Sequence, residues 1–479
     1  MRIVSRNVAR PGRDARRSVV LAVMVSGSWC ITGVASAHAQ SAAPAPRPAF
    51  ENLRFREDWS RTPRGDPRDP LKHIALSDGG SIWLSLGGHV RLRGESVDGF
   101  LAGGPGTRED GFGLLRTHLH ADLHIGRHVR GFFEGRYAEV AGRELPGGAR
   151  ALDRNRGDWG NAFVEVAGTT SGITSAARVG RQELLLGRER IVSPLDWANV
   201  RRVFEGVTLE SKRGPVTVGL LGVRPLKVLA DRADVSDKAT VLWGGTLAWQ
   251  SAQRGRVLEG AMLMKQVDAI GTAPSARRAT AAGRLLTPVG RRDLVLELEG
   301  GIQRVHGGAD VTTASMIASD LTWSPAARWA PAVTVGADRA SGTRAGQATQ
   351  SGTWDQLYPL GHAYAGFADV LGRRNLVEER LVVQFSPHHQ ARVRTAFHAF
   401  QRASRADAAY DVGGGIFRAP GVNASARIGT EVDATIQWRL GRHLRLDGGV
   451  SRFMPGQFLR DTGSARRYSF VFSSVTATF

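Results

Sequence analysis

From Ser81 to the end of the chain, apolar and polar positions alternate with a period of two in one short stretch after another. The clearest runs from Glu431 to Leu440. Val432, Ala434, Ile436, Trp438 and Leu440 share one parity, and Glu431, Asp433, Thr435, Gln437 and Arg439 share the other. Alternate side chains of a strand point to opposite faces, so the pattern predicts a two-faced strand. After Gly441-Arg442-His443 the alternation resumes, with Leu444, Leu446 and Val450 set against Arg445, Asp447 and Ser451. Ile82, Leu84, Leu86, Val90 and Leu92 alternate in the same way with Ser85, His89, Arg91 and Arg93. Further on, Leu119, Ala121, Leu123 and Ile125 face away from His118, His120, Asp122 and His124, and Val393, Thr395 and Phe397 from Arg392, Arg394 and His398. Few windows carry a helical period.

The connections sharpen the picture. Tight ones are expected at Gly126-Arg127, Arg213-Gly214-Pro215, Ser251 to Gly255, Pro288 to Arg292, Ser324 to Arg328, Ser386 to His389 and Gly441-Arg442. Between them lie polar segments near 98–111, 141–158, 188–203, 226–239, 266–276, 304–314, 339–375, 401–425 and 455–466. A soluble sandwich has no reason to alternate short and long connections so regularly. An all-β, transmembrane, antiparallel up-and-down barrel of about eighteen strands does, with short periplasmic turns and long extracellular loops. The last stretch, Tyr468 to Phe479, is a strand with an aromatic final residue, expected to pair with the first strand and remove the edge. Trp83, Trp159, Trp243, Trp249, Trp323, Trp329 and Trp438 fall near strand ends, where an interfacial girdle would place them.

The remaining chain divides around this barrel. Residues 2–17 are arginine-rich, an apolar run follows over Val19–Val25, and Ala37-His38-Ala39 ends the segment as an A-x-A cleavage pattern. The expected organisation is a cleaved signal peptide over 1–39, a Pro-rich linker and periplasmic lead-in over 40–80, and the barrel over 81–479. Cys30 is the one cysteine, so the expected mature chain has no disulfide or thiol chemistry. No stretch after the signal approaches the roughly 18 apolar residues of a spanning helix.

Charge adds a chemistry to the fold. The formal net charge is +20, and setting aside the six arginines and one aspartate of residues 1–39 leaves about +15. Only five residues are lysine. The arginines stand singly along alternating strands rather than in a tail or on one helix, which argues against nucleic acid as a partner. Arg91, Arg93, Arg116, Arg178, Arg380, Arg392, Arg394, Arg439 and Arg445 fall opposite the apolar parity, interleaved with acids that include Asp122, Glu134, Glu165, Glu183, Glu297, Glu431 and Asp433. A guanidinium keeps its charge and binds carboxylates through a planar fork, so such a face suits an anion path. The same residues also suit ionic ladders that merely stiffen the wall. His118, His120 and His124 share a face, but nothing nearby completes a metal set, and no metal or other cofactor is expected. There is no G-x-S-x-G, H-E-x-x-H, P-loop or dinucleotide fingerprint, so no enzyme is expected.

Several segments together resemble the alginate export family of outer-membrane porins. They are Asp69-Pro-Leu-Lys72, Val179-Gly-Arg-Gln-Glu183, Trp354-Asp-Gln-Leu-Tyr-Pro-Leu-Gly-His-Ala-Tyr364, Gly372-Arg-Arg-Asn375, Gly429-Thr-Glu-Val-Asp433 and Phe453-Met-Pro-Gly-Gln-Phe458. The resemblance implies an eighteen-stranded barrel in the cell outer membrane with an arginine-lined lumen for an anionic polyuronate. Within it, Arg181 and Arg445 match the basic constriction. The expected substrate path is therefore Arg91, Arg93, Arg116, Arg181, Glu183, Arg392, Arg394, Glu431, Asp433, Arg439 and Arg445. Its expected partners are an anionic polysaccharide or other anionic solute, outer-membrane lipid and periplasmic export partners. The alternatives are a porin for small anionic solutes and a plugged barrel that binds at the surface. The 339–375 loop is expected either to fold inward and narrow the pore or to cap the rim.

Overall fold

The computed structural model describes residues 47–99, 109–251, 255–269, 275–307, 310–348 and 350–479. The expected signal peptide and residues 40–46 of the linker lie outside the described residues. Strands β1 to β6 run over Ile82–Asp98, Asp110–Ile125, Val129–Ala141, Asn155–Thr170, Ile173–Gln182 and Phe204–Arg213. Strands β7 to β12 follow over Val216–Lys227, Thr240–Ser251, Arg256–Val267, Ala276–Val289, Arg291–Gly307 and Asp310–Trp323. Strands β13 to β18 are Ala332–Ala340, Leu376–His388, Ala391–Arg402, Arg427–Leu440, Leu444–Pro455 and Tyr468–Thr478. Each pairs antiparallel with its neighbours in sequence, and β1 closes on β18 from His89↔Thr478 to Asp98↔Ser469. The barrel is closed and has eighteen strands.

The wall is turned inside out relative to a soluble core. Leu92 is 58% exposed and Val335 60%, whereas Arg91 between its outward neighbours is 4% exposed and Glu378 is fully buried. Alternation thus puts the aliphatic side chains toward lipid and the charged ones toward the lumen. Of the seven tryptophans, Trp83 points inward instead, its ring stacked 3.7 Å from that of His124. The others are exposed on the outer surface.

One rim carries the tight turns. Gly214 and Gly441 occupy the left-handed region (φ +56° and +74°), which two-strand turns demand and a side chain resists. A further tight turn at 171–172 joins β4 to β5. The expected short turn at Ser324–Arg328 extends to the start of β13, and the expected long loop over 304–314 is mostly strand, since β11 ends at Gly307 and β12 begins at Asp310. Arg304 and His306 are exposed polar residues on the outer parity, so this hairpin outruns the apolar band and reads as a loop.

The 51–80 lead-in is not a loose tether. Arg54 donates to the carbonyls of Gly88 and Phe479, each at 2.9 Å, which ties the segment to the seam between β1 and β18. Phe55 inserts into the lumen edge-on to Phe132 (6.0 Å) and Phe163 (5.3 Å). From the opposite rim the 183–203 and 341–375 connections also enter the barrel. Leu184, Ile191, Val192, Trp354 and Leu357 pack there on Val223, Leu242, Leu263 and Met316 of the wall. This apolar packing offsets the entropy of holding two long loops in one conformation.

Candidate functional site in the lumen

Arg91 and Arg93 on β1 and Arg116 on β2 sit on the inward parity, as expected, but they do not face open water. Arg91 donates to the carbonyls of Asp196 (3.1 Å), Trp197 (3.3 Å) and Ala198 (3.0 Å). Arg93 donates to the Trp197 carbonyl at 2.6 Å and lies 4.3 Å from the centre of its ring. Arg116 reaches the Asp196 carbonyl and its carboxylate, both at 2.8 Å. Three arginines thus hold the tip of the 183–203 loop.

Arg201 organises the root of that loop. It forks onto Glu183 (2.6 and 2.8 Å), bonds Asp196, and donates to the Asn52 side chain (2.9 Å) and backbone carbonyl (3.1 Å). Glu183, expected on a strand face, lies one residue beyond β5 and acts as this anchor's counter-charge. Asn199 adds contacts from its amide nitrogen to the carbonyls of Leu115, Glu139 and Asp153.

Glu431 and Asp433 on β16 hold the second loop. The Ala368 amide donates to Glu431 at 2.8 Å and the Phe367 amide to Asp433 at 3.4 Å. Asp433 also accepts from Ser451 at 2.5 Å, and His398 bridges it to Glu378. The two loops meet inside the barrel. Val192 forms a parallel bridge with Tyr358, and Trp197 stacks on His362 at 3.6 Å with planes 10° apart. The 341–375 segment therefore folds inward rather than capping the rim, and the 183–203 loop, which no periodicity singled out, joins it.

Arg181 departs from expectation most clearly. It shares the parity of Val179, which is 57% exposed to the outside, and stands at the loop rim pairing with Asp158 (3.0 Å) and Glu205 (3.6 Å). It is not a lumen residue.

Arg392, Arg394, Arg439 and Arg445 remain. All four face the lumen from β15, β16 and β17. Among the described residues no carboxylate makes an ion pair with Arg392, Arg394 or Arg439, and Arg445 pairs with Asp447 at 2.9 Å. They line two adjoining cavities. A turn-side cavity of about 500 Å³ includes Arg439, Arg442, His443 and Arg445. An inner cavity of about 450 Å³ includes Arg392, Arg394, Gln437, Trp197 and Phe367. Elsewhere the inward-facing charges form ion-pair ladders: on the neighbouring β14 Arg380 pairs with Asp320, Asp338 and Glu378, and on β10 Arg284 pairs with Glu259 and Glu297. Arg392, Arg394 and Arg439, which make no ion pair among the described residues, thus gather on β15 and β16. His118 lies 3.2 Å from Glu134 and stacks with His89, and among the described residues no cluster of three metal-ligating side chains occurs.

The alginate export family model matches residues 82–472, most of the chain. The chain belongs to the alginate export family. No curated protein matches it by sequence. Among solved structures, this alginate-export barrel is similar to a BenF-like porin from Pseudomonas fluorescens Pf-5, with a TM-score of 0.56 at 11% identity over 83% of this chain and 98% of that one. It is also similar to OpdK of Pseudomonas aeruginosa with vanillate (TM-score 0.54, 11% identity, 82% and 98% covered). A third is OccK2 (OpdF) of the same organism in complex with glucuronate (TM-score 0.52, 12% identity, 82% and 98% covered). At these identities the likeness is one of fold. Family and fold together make the chain an outer-membrane porin.

The charge state of the loop tip follows from its surroundings. Burial alone would raise the Asp196 carboxyl, but the Arg116, Arg201 and Arg91 guanidiniums overcome it and hold Asp196 well below its ordinary value. A carboxyl depressed on folding stabilises above its unfolded pKa and loses that contribution only as pH falls through its folded value. The expected result is a single-channel conductance and gating noise unchanged between pH 7 and about pH 4, the ordinary carboxylate range. Flicker that grows on acidification within that window would show that this anchor has been misread.

Proposed function

We propose that this porin passes carboxylate-bearing sugars, uronates singly or as a thin chain, along the arginines of β15 to β17. The observation that carries the reading is the set of three lumen arginines without an ion pair among the described residues, Arg392, Arg394 and Arg439, next to two adjoining cavities. An unpaired guanidinium fork is free to take a carboxylate. Several such forks in series hold each anion briefly and release it to the next, which conduction requires. Charge gathered on β15 to β17 would keep the anion on a track, while arginines already held by carboxylates, such as Arg380 and Arg284, would not compete for it.

Polyuronate export is the finer form of this reading, and the family name supports it. The smaller form, uptake of anionic solutes, draws on the in-folded loops. Cavities of about 450 and 500 Å³ match the ~300–1,000 Å³ range of small-molecule sites. Direction would come from a gradient or a periplasmic partner. Planar-bilayer recording of the refolded protein with oligouronates, monomeric glucuronate or a neutral oligosaccharide separates the forms. Transient current block by oligouronates and none by the neutral sugar is expected. Block by glucuronate alone would favour the small-solute form. Conductance without block by either acid would remove uronates as the cargo, and no conductance at all would leave a plugged barrel that binds at the surface.

A further inference from the structure

The two basic cavities adjoin at three residues, and one of them comes from outside the barrel sequence. Asn52, Asp196 and Arg445 line both cavities. Asp196 is supplied by the 183–203 loop, Arg445 by β17 and Asn52 by the N-terminal lead-in. The neighbours of Asn52 make this placement firm. Leu53, Arg54 and Phe55 are 2%, 7% and 3% exposed, and Arg54–Arg56 form a 3-10 turn that drives Phe55 between Phe132 and Phe163. Asn52 itself is exposed, and what it is exposed to is the space of the two cavities. Its Oδ1 and its backbone carbonyl both accept from Arg201. Among the described residues the side-chain nitrogen has no hydrogen-bond partner, and it is a donor only.

We propose that the N-terminal lead-in is a working part of the pore, and that Asn52 is a specificity-determining residue at an eyelet between the two cavities. A solute carboxylate or hydroxyl leaving Arg439 and Arg445 meets the Asn52 amide before it reaches Arg392 and Arg394. A neutral donor at that point suits an anion better than a fixed charge of either sign. An acid would repel it, and a further arginine would hold it. Asp196 is neutralised by Arg116 and Arg201 and so does not oppose passage. The inference rests on the porin pathway running through these cavities and does not require that the cargo be a uronate.

A single cysteine tests it directly. In a Cys30→Ser background Asn52→Cys is the one thiol of the chain, and Ser60→Cys, on an exposed part of the same lead-in, is the control. Single-channel current is recorded while an anionic (sulfonatoethyl) or cationic (trimethylammonioethyl) methanethiosulfonate is added, with modification followed by mass. At Asn52→Cys, conductance is expected to fall about twofold or more with either reagent, as at a site that lines an ion path. The reversal potential should move in opposite directions with the two charges. Ser60→Cys should be modified without effect. Complete modification of Asn52→Cys with unchanged current would overturn the proposal, and so would failure of the thiol to react, since a residue at the eyelet is open to water. Asn52→Asp supplies a second readout, a lowered anion-to-cation permeability ratio with conductance retained, and an unchanged ratio would count against the proposal. Because the thiol experiment reads access to the pathway, it can succeed even if the unmodified protein proves indifferent to uronates.

Discussion

Replacing Arg392 and Arg394 together by alanine is expected to abolish most of the anion preference of the pore while leaving the barrel folded. Neither side chain makes an ion pair, so their removal strands no buried carboxylate among the described residues. Arg394 gives up a contact 5.5 Å over the Phe367 ring, a modest loss. Electrostatics sets the functional effect. A unit charge at about 8 Å and an effective dielectric constant of about 20 is worth about 2 kcal/mol, and screening at 0.1 M salt reduces this to about 1 kcal/mol. Losing both charges then removes about 2 kcal/mol of anion stabilisation, so the anion-to-cation permeability ratio should fall by about thirtyfold or more. Reversal potentials across a salt gradient measure it, with urea unfolding of the same variant as the check on the fold. An unchanged ratio in a folded double variant would put the ion path elsewhere. Arg380 makes the contrast, because it pairs with Asp320, Asp338 and Glu378 at once and its loss would act through stability.

Arg201→Met is expected to have the other large effect, on the loops rather than on selectivity. The guanidinium ties Glu183, Asp196 and Asn52 at one point, so a single substitution loosens both the 183–203 loop and the lead-in. Breaking a buried pair on one side leaves the other charge uncompensated, at about 3–5 kcal/mol. The barrel hydrogen bonds are untouched, so the cost falls on local order. Conductance should rise and become noisy, and trypsin should reach the lead-in. Adding Glu183→Gln removes the stranded carboxylate and is expected to recover part of the loss, which a double-variant cycle quantifies. Quiet, wild-type conductance in Arg201→Met would mean that the loops are held by their apolar packing alone.

The barrel was legible in the chain because its physics is periodic. Val432 through Leu440 must meet lipid and Glu431 through Arg439 must not, so parity reveals both faces at once. The hairpin rhythm followed for the same reason. What fills the lumen was not legible. Arg91, Arg93 and Arg116 lie on the inward parity, yet most of their contacts are to the backbone carbonyls of Asp196, Trp197 and Ala198, and a carbonyl has no signature in a sequence. Asn52, Phe55 and Arg54 lie in a segment without periodicity, where only three-dimensional contact reveals a role. Arg181 failed because a motif outweighed parity. It stands two residues from Val179 on the lipid-side face, and only its height above the apolar band makes an outward arginine tolerable there. Trp83 failed in a similar way, since tryptophan suits both an interface and a stack on His124.

The most direct test of an arginine-lined anion path is the reversal potential of the unaltered protein in a planar bilayer under a tenfold potassium chloride gradient. The basic wall of Arg392, Arg394, Arg439 and Arg445 requires a potential of the sign set by chloride. A potential near zero, or one set by potassium, would contradict it.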